Sequence, residues 1–234
     1  FLKEKKIILV TTGKGVIAVD EVSGKINTRF GKKGSYGNDL SLVSPIASDQ
    51  KVFVAFRTKI ESFFLNSGKK NWTFDLNGAR VWSGLSFDKE TETIAVVTSN
   101  LINLWGKTNI SPDYSNSLIL INSKTGKLNC VFKDVKHDHW DLDMVGNPIF
   151  TNIIFNNKTI RAVYAFSKTG NIFAIDVNKC KFIFNKVANF EIINTEVPNN
   201  AQTYADHQIK ILKPEPLLDQ KYNLEDYLKT IKIG

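Results

Sequence analysis

The sequence predicts an all-β fold, a β-propeller of which about four blades are present. Two observations lead to this prediction. Almost every regular segment alternates or runs apolar for a short stretch and then meets Gly, Asn, Asp or Ser, as short strands closed by turns do. Four of these segments also share one phrase, in which a strand is followed by a polar turn, a glycine, a lysine and a second strand.

The glycine position of this phrase falls at Gly24, Gly68, Gly126 and Cys180. A glycine there supplies the positive φ that a hairpin turn needs. Successive turns lie roughly 45 to 60 residues apart, the spacing of four-stranded propeller blades. A β-sandwich has frequent turns too, but it gives no reason for the phrase to repeat. The repeat is degenerate, because Cys180 replaces the glycine and the tryptophan four positions after it occurs only as Trp72.

The sequence predicts one domain. Residues 1–193 form the partial propeller, and residues 194–234 form a long inter-blade loop with a short helix. Asn194 to Pro216 is polar and rich in turn residues, and Asn223 can cap a helix that runs to Lys229. We expect the chain to be a piece of a longer protein, with the remaining blades and any leader or membrane anchor outside it.

Composition and charge narrow the classes of partner. The 234 residues are 42% hydrophobic and 23% charged, which is ordinary globular composition, and no apolar stretch is long enough to span a bilayer. The net charge is +8, but the lysines are scattered through turns, which predicts a solvated surface and no nucleic-acid partner. Cys130 and Cys180 show neither a disulfide framework nor metal spacing, so we expect buried or incidental thiols.

Three residues could carry chemistry, although each has an ordinary alternative explanation. Trp82 could pack between blades, Asp141 could be one turn-forming acid among several, and Lys168 could be an exposed turn lysine. Asp141 closes the sequence His-Asp-His-Trp-Asp that starts at His137, and Lys168 opens Lys-Thr-Gly-Asn after the next strand-like run. This pattern places a carboxylate and an ammonium in two consecutive repeat units.

An ordered set of short motifs extends this pattern over most of the chain. The set resembles the pyrroloquinoline-quinone (PQQ) dehydrogenases, and most closely their membrane-bound glucose and polyol dehydrogenase branch. This resemblance runs from about residue 7 to residue 216, is strongest over 79–177, and implies a propeller of the eight-bladed quinoprotein type. Its motifs are Ala79–Asp88, Ile94–Asn100, Pro112–Tyr114, Ser117–Lys127, His137–Asp143, Pro148 and Ala165–Phe173.

The resemblance implies a role for each candidate residue. Trp82 would stack on the flat quinone, Asp141 would be the general base that takes the substrate hydroxyl proton, and Lys168 would bind the quinone oxygens. His137, Asp138 and Trp140 would support Asp141. PQQ is therefore the expected cofactor.

The resemblance also implies Ca²⁺ or Mg²⁺ beside the quinone, where it would act as a Lewis acid. Asn100 matches the calcium-ligand asparagine of the alcohol dehydrogenase branch, although Ser99 stands where a glycine is usual. The glucose branch carries an acidic residue and an amide residue further upstream. At the matching place, residues Val52–Lys59 of this chain include neither an acid nor an amide. Lys14 likewise replaces an acid, so these departures weaken the prediction of a metal.

The expected function is oxidation of an aldose or polyol by hydride transfer to the quinone. The expected location is the periplasm, with association to the inner membrane through segments outside this chain and with membrane quinone as electron acceptor. Two alternatives stay open: a non-catalytic propeller that serves as a protein-binding scaffold, and a decayed family member that has lost its metal.

Overall fold

The computed structural model describes residues 5–101, 114–137, 141–186 and 203–204. Within these ranges the chain forms nineteen β-strands and no helix. The strands are β1 (Ile7–Thr12), β2 (Gly15–Asp20), β3 (Ser35–Tyr36), β4 (Ile46–Ala47), β5 (Lys51–Phe56), β6 (Lys59–Phe64), β7 (Lys70–Asp75), β8 (Ala79–Arg80), β9 (Leu85–Asp88), β10 (Thr93–Val97), β11 (Ser99–Leu101), β12 (Ser117–Asn122), β13 (Leu128–Lys133), β14 (Val135–His137), β15 (Met144–Phe155), β16 (Lys158–Ser167), β17 (Ile172–Asp176), β18 (Lys181–Lys186) and β19 (Thr203–Tyr204).

Most of these strands build four antiparallel sheets that follow one another along the chain. The first sheet has the order β1-β2-β3, the second β4-β5-β6-β7, the third β13-β12-β10-β9 and the fourth β15-β16-β17-β18. Two further short pairs join β8 with β11 and β14 with β19. Each sheet is a meander of sequential strands, as in a propeller blade. The predicted β-propeller with about four blades is confirmed.

The repeated turn has the same backbone geometry in all four sheets. Its φ is 67° at Gly24, 65° at Gly68, 72° at Gly126 and 53° at Cys180. In each case the amide of this residue donates a hydrogen bond to the carbonyl oxygen four residues earlier. The predicted positive φ is confirmed, and Cys180 adopts it without the freedom that glycine provides.

The polar residue of the phrase closes the turn from its side chain. In Asp20, Asn122 and Asp176, Oδ1 accepts hydrogen bonds from the backbone amides two and three residues ahead. This is the local bonding that makes Asp and Asn favourable in turns. The phrase therefore repeats because each copy builds the same turn between the last two strands of a sheet.

The hydrophobic core lies between the sheets, in three clusters. Alternate residues of one strand point into different clusters, as the period of two in a β-strand requires. On β10, Ile94 and Val96 contact the second sheet, whereas Ala95 and Val97 contact the fourth. The third cluster, which includes Ile7, fills the space between the first and second sheets. The sheets are thus stacked face to face in chain order.

Trp72 joins the second sheet to the third. Its indole Nε1 donates a hydrogen bond of 3.0 Å to the carbonyl oxygen of Ser123. The indole ring covers Gly126, where an added Cβ would lie 2.6 Å from a ring carbon. Gly126 therefore serves two purposes, since it provides both the positive φ of the turn and the space for the docked ring.

Cys130 and Cys180 form a disulfide that joins the third sheet to the fourth, so the prediction of free thiols was wrong. Cys130 stands four positions after Gly126, as Trp72 stands four positions after Gly68, and Cys180 takes the glycine position of the following turn. The disulfide thus replaces, one sheet further on, the contact between a tryptophan and a glycine. Its two positions become neighbours only when the sheets stack, which residue spacing does not reveal.

An ion pair adds a second link between the third and fourth sheets. Arg161 on β16 binds Asp88 at the end of β9, with 3.1 Å between Nε and Oδ2, and Glu90 lies 3.4 Å from the same nitrogen. Burial raises the pKa of Asp88, but hydrogen bonds from Arg161 and Thr91 outweigh burial and hold that pKa below its usual value. The pair is therefore charged at neutral pH.

The C-terminal prediction lies mostly outside the described residues. Of 194–234, only Thr203 and Tyr204 are described, and they form β19 against β14. The boundary at residue 193 and the helix from Asn223 stay predictions. Within the described ranges, no helix has the length and hydrophobicity that a membrane span requires.

Candidate active site

A pocket of about 430 Å³ collects side chains that are far apart in the sequence. Its residues lie in turns and at strand ends of several sheets, so the stacking of the sheets creates it. Small-ligand sites commonly have this size and this mixture of apolar and charged walls. The lining residues are Leu40, Leu42, Arg57, Arg80, Val81, Trp82, Ser99, Asp141, Asp143 and Lys168.

Lys168 binds two carboxylates at once. Its Nζ lies 2.8 Å from Oδ2 of Asp141 and 2.8 Å from Oδ2 of Asp143. Lys168 follows β16, and its backbone amide donates a 2.9 Å hydrogen bond to the carbonyl oxygen of Asp143, just before β15. Since β15 and β16 are paired, the backbone itself brings the lysine to the two acids.

The two carboxylates differ in their access to solvent. The side chain of Asp143 is 5% exposed, whereas that of Asp141 is 67% exposed and has a backbone φ of 61°. Asp and Asn are among the few side chains that adopt this left-handed conformation readily. Asp143 is therefore placed to hold Lys168, and Asp141 is placed to meet a molecule that enters the pocket.

The environment of Lys168 favours its charged form. Burial lowers the pKa of the ammonium, but hydrogen bonds and charge attraction from Asp141 and Asp143 outweigh burial, so the pKa is raised above its ordinary value. Lys168 therefore provides a fixed positive charge at neutral pH.

Trp82 presents its ring beside this charge. The indole follows β8 and is 42% exposed, an unusual exposure for so large an apolar side chain. Nζ of Lys168 lies 5.3 Å from the ring centroid, within the range of a cation–π contact. The flat ring and the ammonium thus border the same space.

A buried network holds the turn that carries Lys168. Asp134, which is 1% exposed, accepts hydrogen bonds from Thr169 Oγ1 at 3.2 Å and from Asn171 Nδ2 at 3.0 Å. Asn116, also buried, donates from Nδ2 to the carbonyl oxygen of Leu142 at 3.3 Å, between the two pocket acids. These contacts fix the backbone on both sides of the ion pair.

Two arginines complete the polar wall. Arg57 lies in the turn after β5, and its backbone is bonded to the carbonyl oxygen of Leu40 at 3.2 Å and to the amide of Val81 at 3.1 Å. Arg80 on β8 accepts a hydrogen bond from Ser99 Oγ at 3.4 Å through its carbonyl oxygen. The described lining therefore has three cationic and two anionic side chains.

Comparison with known proteins identifies the family. Residues 49–208 match the family model described as PQQ, the β-propeller domain of glucose, ethanol and alcohol dehydrogenases, and this match covers more than half of the chain. The chain belongs to this family.

Individual relatives agree with the assignment. Quinoprotein glucose dehydrogenase A of Acinetobacter calcoaceticus is 28% identical over 217 residues, which cover 74% of this chain and 27% of that protein. The chain therefore spans about a quarter of the length of this relative. The predicted resemblance to the PQQ dehydrogenases is confirmed.

Two solved structures show the fold alone, because their identity to this chain is low. A europium-containing methanol dehydrogenase has a TM-score of 0.67 at 17% identity and covers 86% of this chain and 43% of its own. BamB from Moraxella catarrhalis has a TM-score of 0.51 at 17% identity, covering 77% of this chain and 46% of its own.

The pocket brings together Trp82, Asp141 and Lys168, as the family pattern predicted, while their roles stay predictions. Asn100 lies on β11 and His137 ends β14, and of these two only the backbone is described. Asp138 and Trp140 lie outside the described residues.

Sequence reasoning missed Asp143, Arg57 and Arg80. Asp143 ends the motif that starts at His137, but no role was assigned to it. Arg57 follows β5 as Lys168 follows β16, so the corresponding turn of two sheets carries a cation in each case. Comparing the repeats at that turn is the signal that would have found Arg57.

The pocket residues fit PQQ, which is a flat quinone with three carboxylates. Trp82 offers the exposed ring on which a conjugated plane can stack, and Lys168, Arg57 and Arg80 offer three positive charges.

The described pocket residues fit a divalent cation less well than they fit PQQ. Both pocket acids are already bound to Lys168, and two guanidinium groups line the same space. No group of three or more His, Cys, Asp or Glu side chains with metal-binding geometry occurs in the described part of the chain. The role of Asn100 as a ligand of Ca²⁺ or Mg²⁺ therefore stays a prediction.

Proposed function

We propose that this chain supplies the acid–base and cofactor-binding residues of a PQQ-dependent dehydrogenase that oxidises an aldose or polyol. One observation carries the proposal. The ammonium of Lys168 lies 2.8 Å from the exposed carboxylate of Asp141 and 5.3 Å from the centre of the Trp82 ring, inside one pocket. The general class follows from the family, and the aldose or polyol specificity is our proposal.

Asp141 would accept the proton of the substrate hydroxyl. Its side chain is the more exposed of the two pocket carboxylates, and Oδ2 is bound to Lys168. A positioned carboxylate within hydrogen-bond reach of a hydroxyl acts as a general base. PQQ, when bound, supplies the quinone that accepts the hydride from the carbinol carbon, so the alcohol loses two electrons and two hydrogens to become a carbonyl.

Lys168 would stabilise the negative charge that develops on the cofactor oxygens as the hydride arrives. A fixed cation at such a position acts as an oxyanion hole does. Asp143 keeps this cation in place from the buried side, so Lys168 needs little movement when Asp141 turns to the substrate. Trp82 would seat the cofactor plane and exclude water from one of its faces.

The cellular setting is also a proposal. The Cys130–Cys180 disulfide favours an oxidising compartment, which agrees with the periplasm. Association with the inner membrane and electron transfer to membrane quinone would depend on segments outside this chain. The similarity to quinoprotein glucose dehydrogenase A supports the proposal of a sugar substrate.

The test is a titration of PQQ into the full natural protein, followed by tryptophan fluorescence and by dye-linked aldose oxidation. We expect PQQ to quench the fluorescence in a saturable manner. Trp82→Ala should weaken the affinity for PQQ by about tenfold or more, because both stacking and apolar contact are lost. Asp141→Asn should retain PQQ binding and lose turnover by about 100-fold or more.

Asp49→Asn is the matched control, because Asp49 forms an exposed ion pair with Lys89 away from the pocket lining, and it should leave both readouts unchanged. Absence of PQQ binding under every metal condition would contradict the proposal and favour the non-catalytic scaffold. PQQ binding without turnover of any aldose or polyol would favour the decayed enzyme.

A further inference from the structure

The side chains of Arg57 and Arg80 form no ion pair with any described residue, although they line the same pocket as two carboxylates. None of the ion pairs among the described residues includes either guanidinium, whereas Lys168 in the same pocket has two acidic partners. Nε of Arg80 is buried and has no hydrogen-bond partner there. Buried polar groups in proteins are normally satisfied, so this nitrogen indicates a missing partner.

The two guanidinium groups also repel each other. Burial lowers the pKa of Arg80, and the nearby positive charge of Arg57 lowers it further. An arginine stays charged at neutral pH even so, because its ordinary pKa lies far above neutral pH. Two like charges at one pocket wall are unfavourable by themselves, and an anion that binds between the two guanidinium groups removes this repulsion.

We propose that Arg57 and Arg80 form a carboxylate subsite that lets this pocket bind an aromatic polycarboxylate without a divalent cation. The proposal deepens the proposed function and rests on it for the identity of PQQ as the natural ligand. Guanidinium groups suit this task because their planar donors match a carboxylate in two parallel hydrogen bonds.

Charge balance in the pocket agrees with this assignment. Lys168 is paired with both Asp141 and Asp143, whereas the two arginines face an incoming ligand without an ion pair to any described residue. A ligand with several carboxylates compensates the arginines directly, whereas a divalent cation would add to the positive charge. The subsite therefore supplies from side chains the positive charge that a bound metal would otherwise supply.

The test is a binding titration of the full natural protein after treatment with chelator, repeated with added Ca²⁺ and with added Mg²⁺. The probes are PQQ and benzenetricarboxylate, which is flat and carries three carboxylates but has no quinone. We expect PQQ affinity to change less than twofold between chelator and metal. We expect Arg80→Gln to weaken both probes by about tenfold or more, and Arg57→Gln by a smaller factor since its side chain is exposed.

Arg29→Gln is the matched control, because Arg29 is exposed and does not line the pocket, and Arg80→Lys tests whether charge alone suffices. PQQ binding that requires Ca²⁺ or Mg²⁺, or equal binding by Arg80→Gln, Arg57→Gln and the unchanged protein, would overturn the subsite. Arginine-dependent binding of benzenetricarboxylate without PQQ binding would instead remove the proposed function and retain the subsite.

Discussion

Reduction of the Cys130–Cys180 disulfide should cost the protein a large share of its stability. The bond closes a loop with a sequence separation of 50 residues between the third and fourth sheets. Loop-closure entropy for a chain of that length corresponds to about 4 kcal/mol at 25 °C. Because total stabilities are about 5–15 kcal/mol, this one bond decides whether the two sheets stay together near the temperature of unfolding.

The assay is urea unfolding of the full natural protein with and without reductant. For a slope of about 3 kcal/mol per molar urea, the midpoint should fall by about 1.3 M on reduction. Cys130→Ala with Cys180→Ala should show the low midpoint in both conditions, which controls for other effects of the reductant.

A second variant tests whether the bond replaces the docked tryptophan. Cys130→Trp with Cys180→Gly restores the pair that Trp72 and Gly126 form one sheet earlier, so it should recover part of the loss and be insensitive to reductant. An unchanged midpoint when the natural protein is reduced would refute the reasoning. So would a Trp/Gly variant no more stable than the Ala/Ala variant.

Three further predictions concern the ion pairs and the repeated turn. Asp143→Asn removes one of the two anions that raise the pKa of Lys168, so that pKa should fall and the alkaline loss of activity should begin at a lower pH. Turnover at neutral pH should also fall by about tenfold or more, because Lys168 is held less firmly. NMR titration of the lysine side chains measures the pKa, and a pH–rate profile measures the activity. Arg161→Met leaves Asp88, whose side chain is 4% exposed, without its partner and should destabilise the fold by about 3 kcal/mol in urea unfolding, while a second change, Asp88→Leu, should restore most of it. In the unchanged protein the depressed pKa of Asp88 contributes stability above about pH 4, and this stability is lost on further acidification. The urea midpoint of Arg161→Met should therefore change less on acidification than the midpoint of the unchanged protein does. Gly126→Ala would place a Cβ 2.6 Å from the docked indole at a φ of 72° and should lower stability by about 2–3 kcal/mol, and a loss below about 0.5 kcal/mol would contradict that packing.

The sequence predicted the candidate site in part. Trp82, Asp141 and Lys168 were recognisable because each belongs to a short motif, and the motifs occur in a fixed order. Arg57 belongs to no such motif, and Arg80 lies in the motif of Trp82, where the resemblance assigned it no role. They become part of the site because their strand ends meet the same pocket.

The sequence by itself determined the class of fold and the form of each turn. Alternating apolar residues specify strands, and an Asx residue four positions before Gly24 or Gly126 specifies a turn through bonds that span only four residues. Such bonds depend on local dihedral angles and local donors, and these can be deduced from adjacent residues.

Only the tertiary structure decided which residues of different blades meet. Cys130 and Cys180 looked like unrelated thiols because spacing along the chain does not give distance across stacked sheets. The same holds for Asp88 with Arg161 and for the two carboxylates on Lys168. These contacts depend on the register and twist with which one sheet packs on the next, and that packing is a property of the whole assembly of side chains rather than of any one segment.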